Sequence, residues 1–523
     1  MVARWLNLSD QPLGKVVMVM GTSSSAGKSL ITTALCRSFA RCGLRVAPFK
    51  SQNMSNNASV CADGGEIGRS QALQAIAAGV QPTTDMNPIL LKPEGDTRSQ
   101  VVVNGKPTPP LEAQAYFRER KKLWPVATAA LDRLRSQYDL VVIEGAGSPA
   151  ELNLADVEMV NMSVARYCQA PVLLVGDIER GGVFAQLLGT LWLLPEEDRR
   201  LICGLLVNKF RGDLSLFDRG VEILQERGGV PVLGVLPWVA GLNLPEEDAV
   251  ALSDPLSFAQ PSVDEAIDVA VIHLPHIANF DDFDPLVAEA NVALRYVQSL
   301  EQLGSPDVVI LPGTKNTLGD LQWLKDQGLA QRLSQLAEEG VEVIGICGGY
   351  QILGQSIDNP ERLESGVPHA TGLGLLPVET RYHASKQTLQ TTFQVTGDAI
   401  APGSKGLSVS GYEIHVGQTV TTSPWLTRAE DVLSSVPSAV DRSPSDGASA
   451  REGKVWGCYL HGLFHNDEFR QRWLVKLGVD ELALSGSGTE HQLQQDLDRL
   501  ADHLEASIDL DALQDIINQA SSA

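Results

Sequence analysis

Short apolar runs, each separated from the next by a segment long enough for a helix, recur along most of the chain and limit the folds open to it. In the first half they are Lys15–Met20, Arg45–Lys50, Asp139–Glu144, Pro171–Asp177, Leu201–Val207 and Pro231–Pro237. A second series starts at Ile267–His273 and continues through Asp307–Leu311 and Val341–Ile346. Strands that face water on one side alternate apolar with polar residues; these runs are largely continuous apolar stretches, so both of their faces must be covered. That is the pattern of a parallel sheet wound with helices. The expected fold class is α/β, with two doubly wound, mostly parallel-sheet domains.

A chain of 523 residues is too long for one core. The acidic, loose stretch from 241 to 265 marks the division: a first domain over 1–245, a linker over 246–265 and a second domain over 266–483. Residues 484–523 carry helical periodicity and form a C-terminal helical tail. Residues 433–453, rich in Ser, Pro, Ala and Asp, read as a surface loop.

Forty-one Lys plus Arg stand against 64 Asp plus Glu, a net charge of -23. Such a surface repels nucleic acid and anionic membranes. No apolar run approaches the roughly 20 residues that span a bilayer, and the N-terminus lacks a secretory pattern. Seven scattered cysteines, none at zinc-ligand spacing, suit reduced thiols. The expectation is a cytoplasmic protein with no membrane insertion and no nucleic-acid partner.

Two constellations carry chemistry. In the first, Gly21-Thr-Ser-Ser-Ser-Ala-Gly27-Lys28-Ser29 lies between a strand and a helix, as a phosphate cradle requires, but is one residue longer than a Walker A loop. Backbone N–H groups of the Gly21–Gly27 loop and the helix N-terminus would hold phosphate oxygens, Lys28 would neutralise them, and the Ser29 hydroxyl would reach Mg²⁺. Glu144, at the carboxyl end of a buried strand, stands where a carboxylate holds the same ion. Lys50, at another strand end, offers a second positive charge.

In the second, Gly345-Ile-Cys347-Gly348-Gly-Tyr-Gln351 follows an apolar strand and opens a helix. Glycines around the cysteine permit the tight turn that exposes a nucleophile. A base must come from far along the chain, and His461, after Trp456-Gly-Cys-Tyr-Leu, is the candidate. The Gly313 turn after Asp307–Leu311 is suited to give a backbone N–H to an oxyanion beside that of Gly348.

The stretched loop, the lysine after the second strand and Glu144-Gly-Ala-Gly147 resemble the dethiobiotin synthetase group of P-loop ATPases, whose loop is normally one residue longer. That resemblance implies an N-terminal P-loop NTPase-like domain, ATP as cosubstrate, phosphorylation of a carboxylate, and Asn208 near the adenine, although a plain strand-to-loop turn explains Asn208 as well. The second half resembles class I glutamine amidotransferases, which implies a flavodoxin-like domain and L-glutamine as nitrogen donor. It departs from them after the histidine: His461-Gly-Leu replaces the usual His-Pro-Glu, so no triad acid carries over. The departure matches the cobyrinic-acid branch, as does Gly411-Tyr-Glu413-Ile-His415-Val-Gly417, in which Glu413 and His415 are expected to be structural or substrate-facing.

Across nearly the whole chain, through Pro48–Asn57, Gly65–Ala72 and Met86–Pro93, the sequence resembles cobyric acid synthases. The implied reaction is amidation of the b, d, e and g side-chain carboxylates of adenosylcobyrinic acid a,c-diamide, with ATP, Mg²⁺ and glutamine. Two alternatives stay open on sequence alone: cobyrinic acid a,c-diamide synthase or another glutamine-dependent carboxylate amidating ligase, and a non-enzymatic P-loop switch protein. Against the diamide synthase, the amide-rich Ser51-Gln-Asn-Met-Ser-Asn-Asn57 stands where that enzyme typically has an acidic stretch.

Overall fold

The computed structural model describes residues 13–94, 98–108, 111–112, 116, 120–245, 267–363, 365–429, 443–481, 484 and 488–520. The expected linker, 246–265, lies outside the described residues, as does 433–442 of the expected surface loop.

The first half holds β1 (Lys15–Gly21), α1 (Lys28–Arg41), β2 (Val46–Phe49), α2 (Arg69–Ala77), β3 (Leu140–Glu144), β4 (Val172–Asp177), β5 (Ile202–Phe210) and β6 (Val232–Pro237). The six strands form one sheet in the order β6-β5-β4-β1-β3-β2, every neighbouring pair parallel. Successive residues of β1 enter opposite layers: Val17 and Val19 pack with α1, whereas Val16, Met18 and Met20 join the core on the other face. Two covered faces are why the strand reads as an unbroken apolar run. β1 lies inside the sheet, which brings the carboxyl ends of β1 and β3 side by side.

The second half contains β7 (Ile267–Ile272), β8 (Val292–Val297), β9 (Val308–Leu311), β10 (Glu342–Ile346), α3 (Gly348–Leu353), β11 (Val378–Val395), β12 (Ser408–Thr421), β13 (Ala448–Ala450) and β14 (Val455–Cys458). Its main sheet runs β8-β7-β9-β10-β14-β13, parallel except for the antiparallel edge strand β13. The two doubly wound, mostly parallel sheets expected from sequence are present, one in each half.

Three features depart from the sequence reading. β8 is an edge strand that alternates buried with half-exposed residues, so it lacks the continuous apolar run by which its neighbours were recognised. Residues 443–450 are not surface loop, because Ser445–Asp446 and β13 pair into sheets. The long antiparallel hairpin of β11 and β12 builds a second sheet. It reaches the other half, where Gln390 Nε2 donates to Val60 O at 2.7 Å and Ile414 packs with Ala58, Val60, Leu90 and Val102.

The tail forms α4 (Thr489–Ser507) and α5 (Leu510–Ala520) and returns to the first half. Leu497, Leu500, Leu504, Leu513 and Ile517 join the core cluster of Ile31, Leu35 and Phe39 of α1. Arg37 and Arg41 of α1 pair with Asp498 at 2.8 Å and Asp502 at 2.7 Å. The chain ends therefore complete the core that its beginning starts. Replacing fully buried Leu497 with Ala is expected to cost about 2–5 kcal/mol. Urea unfolding should show a lower midpoint for this variant, and a smaller loss for Leu493→Ala at a half-buried position of the same cluster.

Candidate active site

The Cys347 elbow joins a strand directly to a helix, which is the local geometry expected from the sequence. Cys347 stands between β10 and α3 at φ 51 and ψ -109, a left-handed conformation that a side-chain-bearing residue adopts at a cost. The turn closes because Gly349 has no side chain: a Cβ there would lie 1.9 Å from Leu311 O. Cys347 N donates to Cys458 O at 2.8 Å, which ties the turn to β14.

His461 lies three residues beyond the end of β14 rather than at a strand end, and its backbone bridges to Tyr412 of β12. The ring lines the same pocket as Cys347, Gly313, Asn279 and His415. Its Nδ1 meets Asp282 Oδ2 at 2.7 Å, while Asp282 Oδ1 accepts from Gly462 N at 2.7 Å. On the other edge Nε2 lies 3.3 Å from Asn279 Nδ2. Burial would lower the imidazole pKa, but the Asp282 charge and the Cys347 sulfur, which also bonds to the ring, raise it to about 10. The turn after β9 abuts the elbow: a Cβ on Gly348 would meet Thr314 Cγ2 at 2.7 Å, and one on Gly313 would meet His461 Cε1 at 3.0 Å.

Glu413 and His415 have structural partners. Glu413 forms a buried pair with Arg428 at 2.8 Å. His415 stacks on Tyr459, ring centroids 3.7 Å apart, and its Nδ1 faces Gly417 O at 2.7 Å.

In the first half the loop between β1 and α1 wraps its own lysine. Lys28 Nζ donates to Ser23 O at 2.7 Å, Ser24 O at 3.1 Å and Gly147 O at 3.3 Å. Gly27 adopts φ 97, and a Cβ there would strike Asn208 Nδ2 at 2.1 Å; that amide donates to Ala26 O at 2.9 Å, bracing the loop from β5. Gly21 ends β1 where the loop starts. Glu144, buried at the end of β3, accepts from Ser29 Oγ at 2.9 Å, Lys50 Nζ at 2.9 Å and Gln74 Nε2 at 2.6 Å. Burial pushes its pKa up, but Lys50 and the Gln74 bond, with Lys28 further off, hold it below its ordinary value. A hydroxyl and a carboxylate converging beside a phosphate loop are the hard oxygen donors that Mg²⁺ takes while phosphates and water fill its other positions.

The pocket of Cys347 draws on both halves of the chain. Lys92, from the first half, lines the pocket of Cys347 together with Lys315 and Lys386. Glu66 pairs with both Lys92, at 3.0 Å, and Lys386, and Lys315 pairs with Glu94 at 3.2 Å. Burial brings Lys386 down to about 8 despite Glu66 beside it.

Comparison with known proteins matches each half to a separate family model. Residues 17–250 match the CobQ/CobB/MinD/ParA nucleotide binding domain, and residues 268–469 the CobB/CobQ-like glutamine amidotransferase domain. Cobyric acid synthase of Herpetosiphon aurantiacus is 49% identical over 97% of this chain and 99% of its own. That of Chloroflexus aurantiacus is 51% identical over 94% and 97%. The chain belongs to the cobyric acid synthase family. It is a glutamine-dependent, ATP-using amide ligase of cobalamin biosynthesis, with an ATP-binding half and an amidotransferase half. Among the described residues no helix is long and apolar enough to cross a membrane.

Sequence reasoning missed Asp282, the carboxylate that faces His461. It lies in Phe280-Asp-Asp-Phe-Asp284, and spacing cannot say which of three acids meets a ring that follows 179 positions later. The one available signal was two acids between two phenylalanines, since a buried acid needs a partner. Gln74, Asn279 and Lys92 were missed for the same reason.

Asp282→Asn should lower the rate of glutamine hydrolysis by about 10²–10⁴, measured as glutamate release. The pair also makes stability depend on pH. Folding raises the His461 pKa to about 10 from about 6.5 in an unfolded chain, so its contribution is complete below about pH 6.5 and is lost as pH rises through about 10. The excess stability of the parent protein over Asp282→Asn, read from urea midpoints, should shrink across that window.

Proposed function

We propose that the chain converts the b, d, e and g side-chain carboxylates of adenosylcobyrinic acid a,c-diamide to amides, each with one glutamine and one ATP. The observation that carries this reading is the lining of the Cys347 pocket: Lys92 of the ATP-binding half forms part of its wall. Nitrogen released there is released at the boundary with the half that activates the acid.

On the glutamine side Cys347 is the nucleophile. Its sulfur, with the thiol proton taken by His461 Nε2, attacks the side-chain carbonyl carbon of glutamine. N–H groups of the Gly313 turn and Gly348 are the expected donors to the oxyanion. As the C–N bond breaks, the imidazolium returns its proton to the leaving nitrogen, and ammonia departs from a γ-glutamyl thioester. Water, deprotonated by the same ring, then hydrolyses the thioester to glutamate and frees Cys347. Asp282 keeps the tautomer of His461 fixed and offsets its charge while it is protonated.

On the ATP side an oxygen of the substrate carboxylate attacks the γ-phosphorus, and ADP leaves. Ammonia then attacks the acyl phosphate carbon, and phosphate leaves with the electron pair of the C–O bond. A free carboxylate resists this attack because its leaving group would be oxide. Lys28 balances phosphate charge, the loop from Gly21 to Gly27 supplies N–H donors, and Asn208 fixes the loop from behind, on the side where the resemblance puts the adenine. Ser29 and Glu144 would hold Mg²⁺, which supplies charge neutralisation during phosphoryl transfer. Lys50 holds Glu144 in place through the 2.9 Å pair.

Mass spectrometry of the corrinoid a,c-diamide incubated with enzyme, ATP, Mg²⁺ and glutamine should show successive replacements of hydroxyl by amino until all of the named carboxylates are amides. An enzyme that instead works only on cobyrinic acid lacking the a and c amides would refute the assignment. Cys347→Ala is expected to lose glutamine-supported amidation and to keep that supported by ammonium salts, whereas Lys28→Ala should lose both. ADP release and glutamate release, measured separately, tell the variants apart.

A further inference from the structure

Beside its contacts to His461 and Gly462, the loop carrying Asn279 and Asp282 is held by groups from the other half of the molecule. Ala58 N donates to Asn279 Oδ1 at 3.1 Å, and Phe280 N donates to Asn57 Oδ1 at 3.3 Å. Arg69 Nη2 pairs with Asp281 Oδ2 at 2.9 Å, with the Asp281 side chain 2% exposed. The second oxygen of Asp281 is buried with no hydrogen-bond partner among the described residues. Two adjacent buried aspartates repel each other unless each has its own positive partner. His461 serves Asp282, and Arg69 serves Asp281.

Arg69 is the first residue of α2, and its N–H donates to Asn57 O at 3.2 Å, so the helix start and the Asn57 contact move together. Five residues on, about 7–8 Å along the helix, Gln74 of α2 donates to Glu144 Oε2. One short helix therefore reaches the carboxylate of the nucleotide site through Gln74 and the loop of the glutaminase acid through its first residue, Arg69. Ligands arriving at Glu144 must share its oxygens with Ser29, Lys50 and Gln74, and a displacement of Gln74 is carried by a rigid element to Arg69.

We propose that Arg69 is a positioning residue for glutamine hydrolysis supplied by the ATP-binding half, and that α2 makes the rate of this hydrolysis depend on what the nucleotide site holds. Arg69 pairs with Asp281, and through that pair it keeps the 280–283 turn, and with it Asp282, in register with His461. The inference rests on the glutaminase reading above, in which Cys347 and His461 cleave glutamine.

The test measures glutamate release by the full-length enzyme with and without a non-hydrolysable ATP analogue and Mg²⁺. In the parent protein the analogue should change kcat by about two- to thirtyfold, with KM for glutamine nearly constant. Arg69→Ala should have a lower kcat, by a factor in the same range of about two to thirty, and should no longer respond to the analogue. Arg69→Lys should recover part of both. Two readouts in the same samples separate positioning from misfolding: ammonia-supported amidation, and stoichiometric alkylation of Cys347 by a reactive glutamine analogue, should both persist in Arg69→Ala. If that variant does not fold, Arg69→Gln combined with Asp281→Asn removes the buried charge with its partner and should be slow and unresponsive in the same way. A parent rate indifferent to the analogue, or either variant turning over and responding like the parent, overturns the proposal. A parent enzyme that releases no glutamate at all refutes the glutaminase reading instead.

Discussion

A protonated imidazole can stay in a buried pocket only if a carboxylate stays with it, and the Asp282–His461 pair meets that condition at 2.7 Å. Much of the second half is arranged around keeping these two groups in contact. β14 and the bridge to Tyr412 bring His461 to Cys347, and the turn after β9 backs both. Asp282 arrives from a separate loop near the start of that half. Its second oxygen is tied to Gly462 N, so the carboxylate orients the backbone beside the histidine as well as the ring. The left-handed backbone at Cys347 is tolerated because the Leu311 carbonyl, the β14 pairing and α3 leave it no alternative.

The same need for paired charge joins the halves. Glu66 has two lysine partners, one from each half, and Glu94 of the first half meets Lys315 of the second. Buried ion pairs add little net stability against apolar packing of the same volume, but breaking one by removing a partner is costly. Their effect here is registration. The hairpin of β11 and β12 and the loop around Asn279 can seat against residues 57–69 in one alignment, because any other strands a charge away from water. Apolar contact of Ile414 with Ala58, Val60, Leu90 and Val102 fills the space between.

At the nucleotide site the order of causes is different, and most of it is local. A strand, a loop of small residues and a helix follow one another within thirty positions, so the cradle forms from neighbours in the chain. The long-range contributions are the brace from Asn208, the Lys28 bond to Gly147 O and the donors to Glu144; burial pushes the Glu144 pKa up, and Lys50 and the Gln74 bond bring it below its ordinary value. The tail adds a further constraint on α1, which is packed on its outer side by α4 through Leu497, Leu500 and Leu504.

The sequence made the two parallel sheets legible, since short apolar runs without alternation, spaced by helix-length segments, fit strands buried on both faces. It also determined the phosphate loop and the cysteine elbow, since each is a contiguous motif whose glycines and reactive residue are fixed within a few positions. It failed at β8, whose edge position restores alternation, and at the β11–β12 hairpin, whose mixed residues carry no strong period. Tertiary structure alone decided which carboxylate faces His461, which cations meet Glu66 and Glu144, and where the tail packs. Each of those is a contact between residues tens to hundreds of positions apart, chosen by shape and by the need to pair buried charge, and neither requirement leaves a spacing in the chain.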